Sequence, residues 1–249
     1  MKLRKTKNKV LSILSPNYEY RKKRNIKFVI IHYTGVRSLK ETIKIFKDPN
    51  SKVSCHWLIS RKGDLYKVIE EKNIAWHCGL SQWKNFTGLN QYSVGIELDN
   101  PGHGNFYNEF PLAQMSSLVI LLKEILKKYN LDCKNVLAHS DIAPFRKLDP
   151  GELFRWDYLA KKNLAYYPPV LKQEQTKDIY LQYGDTSELV LEIKKKLNKI
   201  GYRCPLNKKY DLKFKLIIEA FQRRFLPNSI NGIINKQLYQ RIIQVNKSS

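Results

Sequence analysis

Three short apolar runs each stop on an ionisable side chain, and this pattern constrains the chain more than any other. Val29, Ile30 and Ile31 lead into His32; Val94 and Ile96, around Gly95, lead into Glu97; Val136, Leu137 and Ala138 lead into His139. Short continuous apolar runs read as strands buried on both faces. Strands of one sheet that finish in polar groups bring those groups to a common edge, where open sheets hold ligands. Convergence also requires that the strands point the same way, which the sequence leaves open.

The third run feeds a stretch, 139–151, that places His139, Lys147 and Asp149 among Pro144, Pro150 and Gly151. Proline fixes φ and removes a backbone donor, so no helix is expected through this stretch. A rigid loop carrying an imidazole, an ammonium and a carboxylate suggests charges that converge. We read His139 and Asp149 as metal ligands and Lys147 as a group aimed at substrate. With His32 they make a two-histidine, one-carboxylate set, which leaves the fourth position of a catalytic zinc ion to water. Hydrolysis of an amide also needs a proton acceptor, a role that suits Glu97. It needs a positive charge for the developing oxyanion, which suits Lys147. Taken singly, each residue has a plainer reading: His32 and His139 as hydrogen-bonded core histidines, Asp149 as a turn residue, Glu97 as a buried ion-pair partner, Lys147 as a solvated cation. The joint pattern favours the site.

The other elements follow from local signals. Ser38 and Glu41 form a capping box, opening a helix with Leu39, Ile43 and Phe46 on one face that stops before Pro49. Strands at 56–60 and 65–69 flank a turn at Gly63. Residues 70–92 read as an irregular loop. In the strand 93–98, Val94, Ile96 and Leu98 share one face and Ser93, Gly95 and Glu97 the other, so small residues beside Glu97 point to a cavity. An amphipathic helix covers 112–129, and another helix is expected over 153–164. Pro168 and Pro169 close this part. Three apolar stripes follow: Leu189, Ile193 and Leu197, ended by Gly201; Phe214, Ile217, Ile218, Phe221 and Phe225, ended by Pro227; and Leu238, Tyr239 and Ile242. The expected organisation is a basic N-terminal arm at 1–24, a catalytic domain at 25–170, a linker at 171–178 and a three-helix domain at 179–249.

Composition narrows the partners. Lys and Arg number 45 against 22 Asp and Glu, a net charge of +23 over 249 residues. Such a charge favours polyanions such as nucleic acid, anionic lipid or an acidic cell-wall polymer. The lysines are scattered, however, and no nucleic-acid motif is present, so nucleic acid is not expected as a partner. The four cysteines form no C-x-x-C pair and read as free thiols of a reducing compartment. No run approaches a secretory signal or a membrane span, so the chain as it stands reads as soluble and cytoplasmic. A removed signal or unconventional export would place it in the periplasm or at the wall.

Taken in order, Ile30 to Thr34, Ala75 to Gly79, Val94 to Leu98 and the stretch 139–151 resemble the zinc-dependent N-acetylmuramoyl-L-alanine amidases of the AmpD/AmiD type, relatives of the peptidoglycan recognition proteins. The resemblance covers roughly 26–165. It implies an α/β fold with a mixed central β-sheet flanked by helices. It implies one Zn2+ ion on His32, His139 and Asp149, with Glu97 and Lys147 catalytic. It also places Trp76 and His77 in a loop that lines the substrate groove. Phe145, Cys78 and Cys55 depart from residues common in the family, and none of these departures removes a ligand. The tail, with its Gly184-Asp185 entry, its Phe221-Gln222 pair and its Asn231-Gly232 turn, resembles a three-helix peptidoglycan-binding domain. An amidase followed by such a tail resembles the AmiD branch. The implied partner is peptidoglycan, as wall or as fragments. The alternative is a catalytically inactive peptidoglycan-binding protein on the same fold; a complete ligand set argues against it.

Overall fold

The structure is a computed structural model that describes residues 10–22, 25–169 and 178–247. In chain order the strands and helices are β1 (Val10–Ser12), β2 (Tyr18–Tyr20), β3 (Phe28–Tyr33), α1 (Leu39–Lys47), β4 (Trp57–Ile59), β5 (Leu65–Lys67), β6 (Asn73–Ala75), β7 (Gln82–Trp83), β8 (Phe86–Thr87), β9 (Ser93–Leu98), α2 (Leu112–Tyr129), β10 (Val136–Ala138), α3 (His139–Ile142) and α4 (Trp156–Ala160). They continue with β11 (Tyr180–Leu181), α5 (Glu188–Ile200), α6 (Leu212–Phe225), β12 (Ile234–Asn235) and α7 (Lys236–Lys247). Six strands form one mixed sheet in the order β1-β5-β4-β9-β3-β10. Within it β4, β9, β3 and β10 are parallel, and the β4–β5 hairpin is antiparallel. The three polar strand ends therefore lie at one edge, and His32 sits directly beside Glu97 in the β3–β9 register.

The period-2 geometry of the strands sends their side chains to two faces. Val29, Ile31, Val94, Ile96, Leu98, Val136 and Ala138 point to one face and pack against Leu118, Leu121, Leu122 and Ile125 of α2. Phe28, Ile30 and Leu137 point to the other, where they share a core with Ile193, Leu197, Phe214, Ile217 and Phe221 of the C-terminal helices. On that second face Leu58 of β4 joins Phe46 of α1 in a third cluster. The C-terminal helices thus cover one side of the second face and α1 the other. Between them the strand ends carrying His32 and Glu97 are left to the loops.

Several elements differ from the sequence expectation. The described part of the N-terminal arm is structured: β1 extends the main sheet beside β5, and β2 pairs with β6. An edge position needs only one ladder of backbone hydrogen bonds, so a strand of three residues suffices there. The rest of the arm, and residues 171–177 of the linker, lie outside the described residues. The 139–151 loop does contain one helical turn, α3, because its prolines stand beyond residue 142 and leave the first turn free. The helix expected over 153–164 shrinks to α4: Phe154 is buried from the turn before it and Trp156 and Leu159 from within it, while Leu153 is exposed, so no continuous apolar stripe runs through 153–164. The 70–92 loop contains three short strands, one pairing with β2 and two with each other. The apolar contacts between the C-terminal helices and the sheet form one continuous core. Among the described residues no helix is long and apolar enough to cross a membrane.

Candidate active site

His32, at the end of β3, and His139, opening α3, meet Asp149 from the same loop. The His32 and His139 Nδ1 atoms are 2.9 Å apart. The Asp149 Oδ2 atom lies 3.0 Å from the first and 2.9 Å from the second. All three residues are buried.

The outer nitrogens of the two imidazoles are already engaged, and this decides their protonation. His139 Nε2 faces the Cys78 carbonyl at 3.0 Å and must donate to it, so its Nδ1 presents a lone pair to the centre. His32 Nε2 faces His77 Nδ1 at 2.9 Å. On the far side of that ring, His77 Nε2 lies 3.3 Å from Ser93 Oγ, whose own proton goes to the Leu89 carbonyl at 2.6 Å. His77 therefore donates through Nε2 and accepts through Nδ1, and His32 donates to it and turns its own Nδ1 lone pair inward. Burial, with His139 adding to it, pulls His32 down to about 4, and burial holds His77 well below the usual imidazole range. Both are thus neutral at physiological pH. Burial raises the Asp149 carboxyl, but its closeness to the His139 and His32 rings outweighs that and draws it below the ordinary carboxylate range, so it is ionised. Two nitrogen lone pairs and a carboxylate facing one another need a cation between them. The residues fit a zinc ion, whose protein ligands are of these kinds and whose histidines characteristically spend the second ring nitrogen on an outer partner.

Glu97 stands next to this cluster on β9. Burial pushes its carboxyl well above the usual range, Asp149 adds to that, and Lys147 partly offsets it. Its Oε2 has no hydrogen-bond partner. Lys147 is half-buried, lines the same cavity, and its charge reaches both Glu97 and His32. The cavity holds about 620 Å³ and is lined by the three cluster residues, Glu97, Lys147 and Trp76, among others. A more apolar recess of about 470 Å³ adjoins it across Gly79 and Arg146, edged by half-exposed Phe145. Arg146 ties the two loops together by donating to the Leu80 carbonyl at 2.8 Å and to the Cys78 carbonyl.

The remaining expected residues divide. Trp76 is half-buried at the cavity rim, its indole donating to Glu19 at 2.9 Å. His77 is 7% exposed and sits under His32, so its ring supports that imidazole from below. Cys78 joins His32 and His77 in a second possible ligand group. Burial pushes its thiol up, and the facing nitrogens of the two imidazoles in that group are spent on each other at 2.9 Å. Three contributors were not singled out from the sequence. Asn90 accepts from the His77 and Cys78 amides at 3.1 and 2.7 Å, Ser93 fixes the His77 tautomer, and Asp141 anchors the turn that carries His139. The small-residue face of β9 reads as bordering a cavity; at Gly95 that space is taken by the His77 ring, since a Cβ there would lie 2.5 Å from it.

The N-acetylmuramoyl-L-alanine amidase family profile matches residues 22–152. The chain is 34% identical over 228 residues to N-acetylmuramoyl-L-alanine amidase AmiD of Escherichia coli (strain K12), covering 83% of this chain and 77% of that one. It is 36% identical over 105 residues to 1,6-anhydro-N-acetylmuramyl-L-alanine amidase AmpD of the same organism, covering 42% of this chain and 55% of that one. Among solved structures, the E. coli AmiD complex with the substrate anhydro-N-acetylmuramic acid-L-Ala-D-gamma-Glu-L-Lys superposes with a TM-score of 0.75 at 30% identity, over 90% of this chain and 89% of that one.

Proposed function

The chain belongs to the N-acetylmuramoyl-L-alanine amidase family, and from that premise we propose that His32, His139 and Asp149 hold one zinc ion for hydrolysis of the amide between N-acetylmuramic acid, or its anhydro form, and L-alanine of the peptidoglycan stem. The observation that carries the zinc reading is the meeting of two Nδ1 lone pairs and a carboxylate oxygen within 2.9–3.0 Å, with both outer imidazole nitrogens taken. A zinc ion there supplies Lewis acidity, polarising an amide carbonyl and making water acidic enough to react near neutral pH.

The chain's own groups do the rest. Glu97 is the proton carrier: its unpartnered Oε2 takes a proton from the attacking water and returns it to the leaving amine of L-alanine. Its raised affinity for protons makes it a stronger base than an exposed carboxylate. Lys147 supplies the fixed positive charge for the oxyanion, in a recess where that charge acts with little screening. The Ser93–His77–His32 chain and the Cys78 carbonyl keep both imidazoles in the required tautomer. Trp76 and the recess beside Phe145 extend the cavity into a groove long enough for a sugar and a stem peptide. The C-terminal helices are proposed to hold the polymer, as their sequence resemblance implies.

The test is metal content together with digestion of purified muramyl and anhydro-muramyl peptides. We expect about one zinc per chain, release of the free stem peptide, loss of release on chelation and recovery with zinc. Undiminished release from metal-free protein, or none from zinc-loaded protein, would overturn the reading.

A further inference from the structure

The C-terminal helices do more than cover apolar surface. Arg224, on α6, reaches across to Asp141, whose side chain is fully buried two residues beyond His139. Arg224 Nη1 lies 2.5 Å from Asp141 Oδ2, and Tyr202, just after α5, donates to Asp141 Oδ1 at 2.5 Å. The same Oδ2 accepts the Ala138 amide at 2.9 Å, closing the turn that begins with His139. Arg224 also donates to the Val136 carbonyl at 3.1 Å and lies 4.2 Å over the Trp156 ring, so its position is fixed on several sides. The neighbouring Arg223 points elsewhere, because consecutive residues on a helix diverge by about 100°. Its Nε lies 3.9 Å from Glu152, three residues beyond Asp149. Arg224 therefore grips the start of the loop that carries two of the three proposed zinc ligands, while Arg223 lies only in ion-pair range of Glu152 just past its end, a carboxylate that His103 Nε2 also meets at 3.0 Å.

We propose that α6 and the segment after α5 form a clamp that sets the geometry of the metal centre. Arg224 and Tyr202 position His139 through Asp141, and Arg223 positions Asp149 through Glu152. These are positioning residues: none reaches the cavity atoms that meet substrate. The Asp141 side chain is fully buried, and its two strongest side-chain partners, the Arg224 guanidinium and the Tyr202 hydroxyl, both come from the C-terminal part. The C-terminal helices are thus part of the metal centre's support, in addition to any hold they have on the polymer. This rests on the zinc reading above.

The test uses the full chain and measures zinc affinity by competition with a chromophoric chelator, alongside circular dichroism of the metal-free protein. Arg224→Met is expected to weaken zinc by about 10-fold or more, in the range seen when outer partners of ligands are removed, and to lower kcat with KM little changed. Arg224→Lys should recover part of the affinity. Tyr202→Phe and Arg223→Gln should each weaken zinc by a smaller factor. The pair Asp141→Asn with Arg224→Met removes both charges, so it keeps the comparison open if the single variant does not fold. Folded variants with unchanged zinc affinity, including Tyr202→Phe and Arg223→Gln when the others fail to fold, would overturn the clamp. Wild-type protein that binds no zinc would instead overturn the zinc reading itself.

Discussion

The two faces of the central sheet are made by the same strands and do different work. Toward α2 the inward residues of β3, β9 and β10 are apolar up to Tyr33 at the end of β3: Val29, Ile31, Val94, Ile96, Leu98, Val136 and Ala138. On the other face β3 and β10 carry apolar Phe28, Ile30 and Leu137, while β9 presents Ser93 and Gly95, and β3 and β9 finish side by side in His32 and Glu97. The first face can satisfy its packing by volume alone. The second must also fix tautomers, bury charge and leave a cavity, so each position depends on a particular neighbour. Substitutions on the α2 face should cost stability and spare chemistry, and those at the polar end of the other face should do the reverse.

Glu97→Ala and Leu122→Ala test this contrast at its extremes. Glu97→Ala is expected to lower kcat by about 10²–10⁴ while zinc stays bound, measured on muropeptide with metal content checked in parallel. Loss of zinc in that variant would place Glu97 among the ligands. Leu122, fully buried under the sheet, lies in the α2 core. Its replacement by Ala should cost about 2–5 kcal/mol of stability in denaturant unfolding. Its kcat per folded molecule should stay near wild type, and a large drop would show that the faces are coupled.

Gly95→Ala comes next. The added Cβ would stand 2.5 Å from the His77 ring, too close to be tolerated without moving it. His32 then loses its Nε2 partner, and zinc affinity should fall by about 10–100-fold, read by chelator competition. An unchanged affinity would mean that His77 is not needed to orient His32.

Much of the architecture was legible because it rests on local rules. The strands β3, β9 and β10, helix α2 and the Ser38 cap on α1 follow from apolar period and capping chemistry, and they appear with bounds close to those expected. The strand ends were also visible as polar stops, although only the parallel ladders bring them to one edge. What stayed hidden depends on long-range partners. β1 is a strand because β5 offers it an edge, not because 10–12 favours one. Asp141 reads as an ordinary acidic residue until Arg224, 83 positions later, lies against it. His77 lines the cavity as its loop suggests, but that its ring also fills the space Gly95 leaves open and backs His32 is set by partners far apart in the chain.

The smallest expected effect is a gain, and it separates the faces by sign. In the metal-free chain, burial and Asp149 raise the Glu97 carboxyl well above its ordinary value near 4.5. Between that value and its folded one, the native chain holds a proton that the unfolded chain releases, so stability falls as pH rises. Below about pH 4.5 both states are protonated and this penalty vanishes. Above the folded value it is fully present. Gln at 97 cannot ionise, so Glu97→Gln should be more stable than wild type at neutral pH and no different at pH 4, compared as metal-free proteins. Each kcal/mol gained would raise the melting midpoint by roughly 2–4 °C for a chain of this size. Zinc should shrink the difference, because the cation favours the ionised carboxylate in the wild type alone. A gain that persists unchanged from pH 4 to pH 7 would assign it to packing, as on the α2 face, and not to a buried charge kept for catalysis.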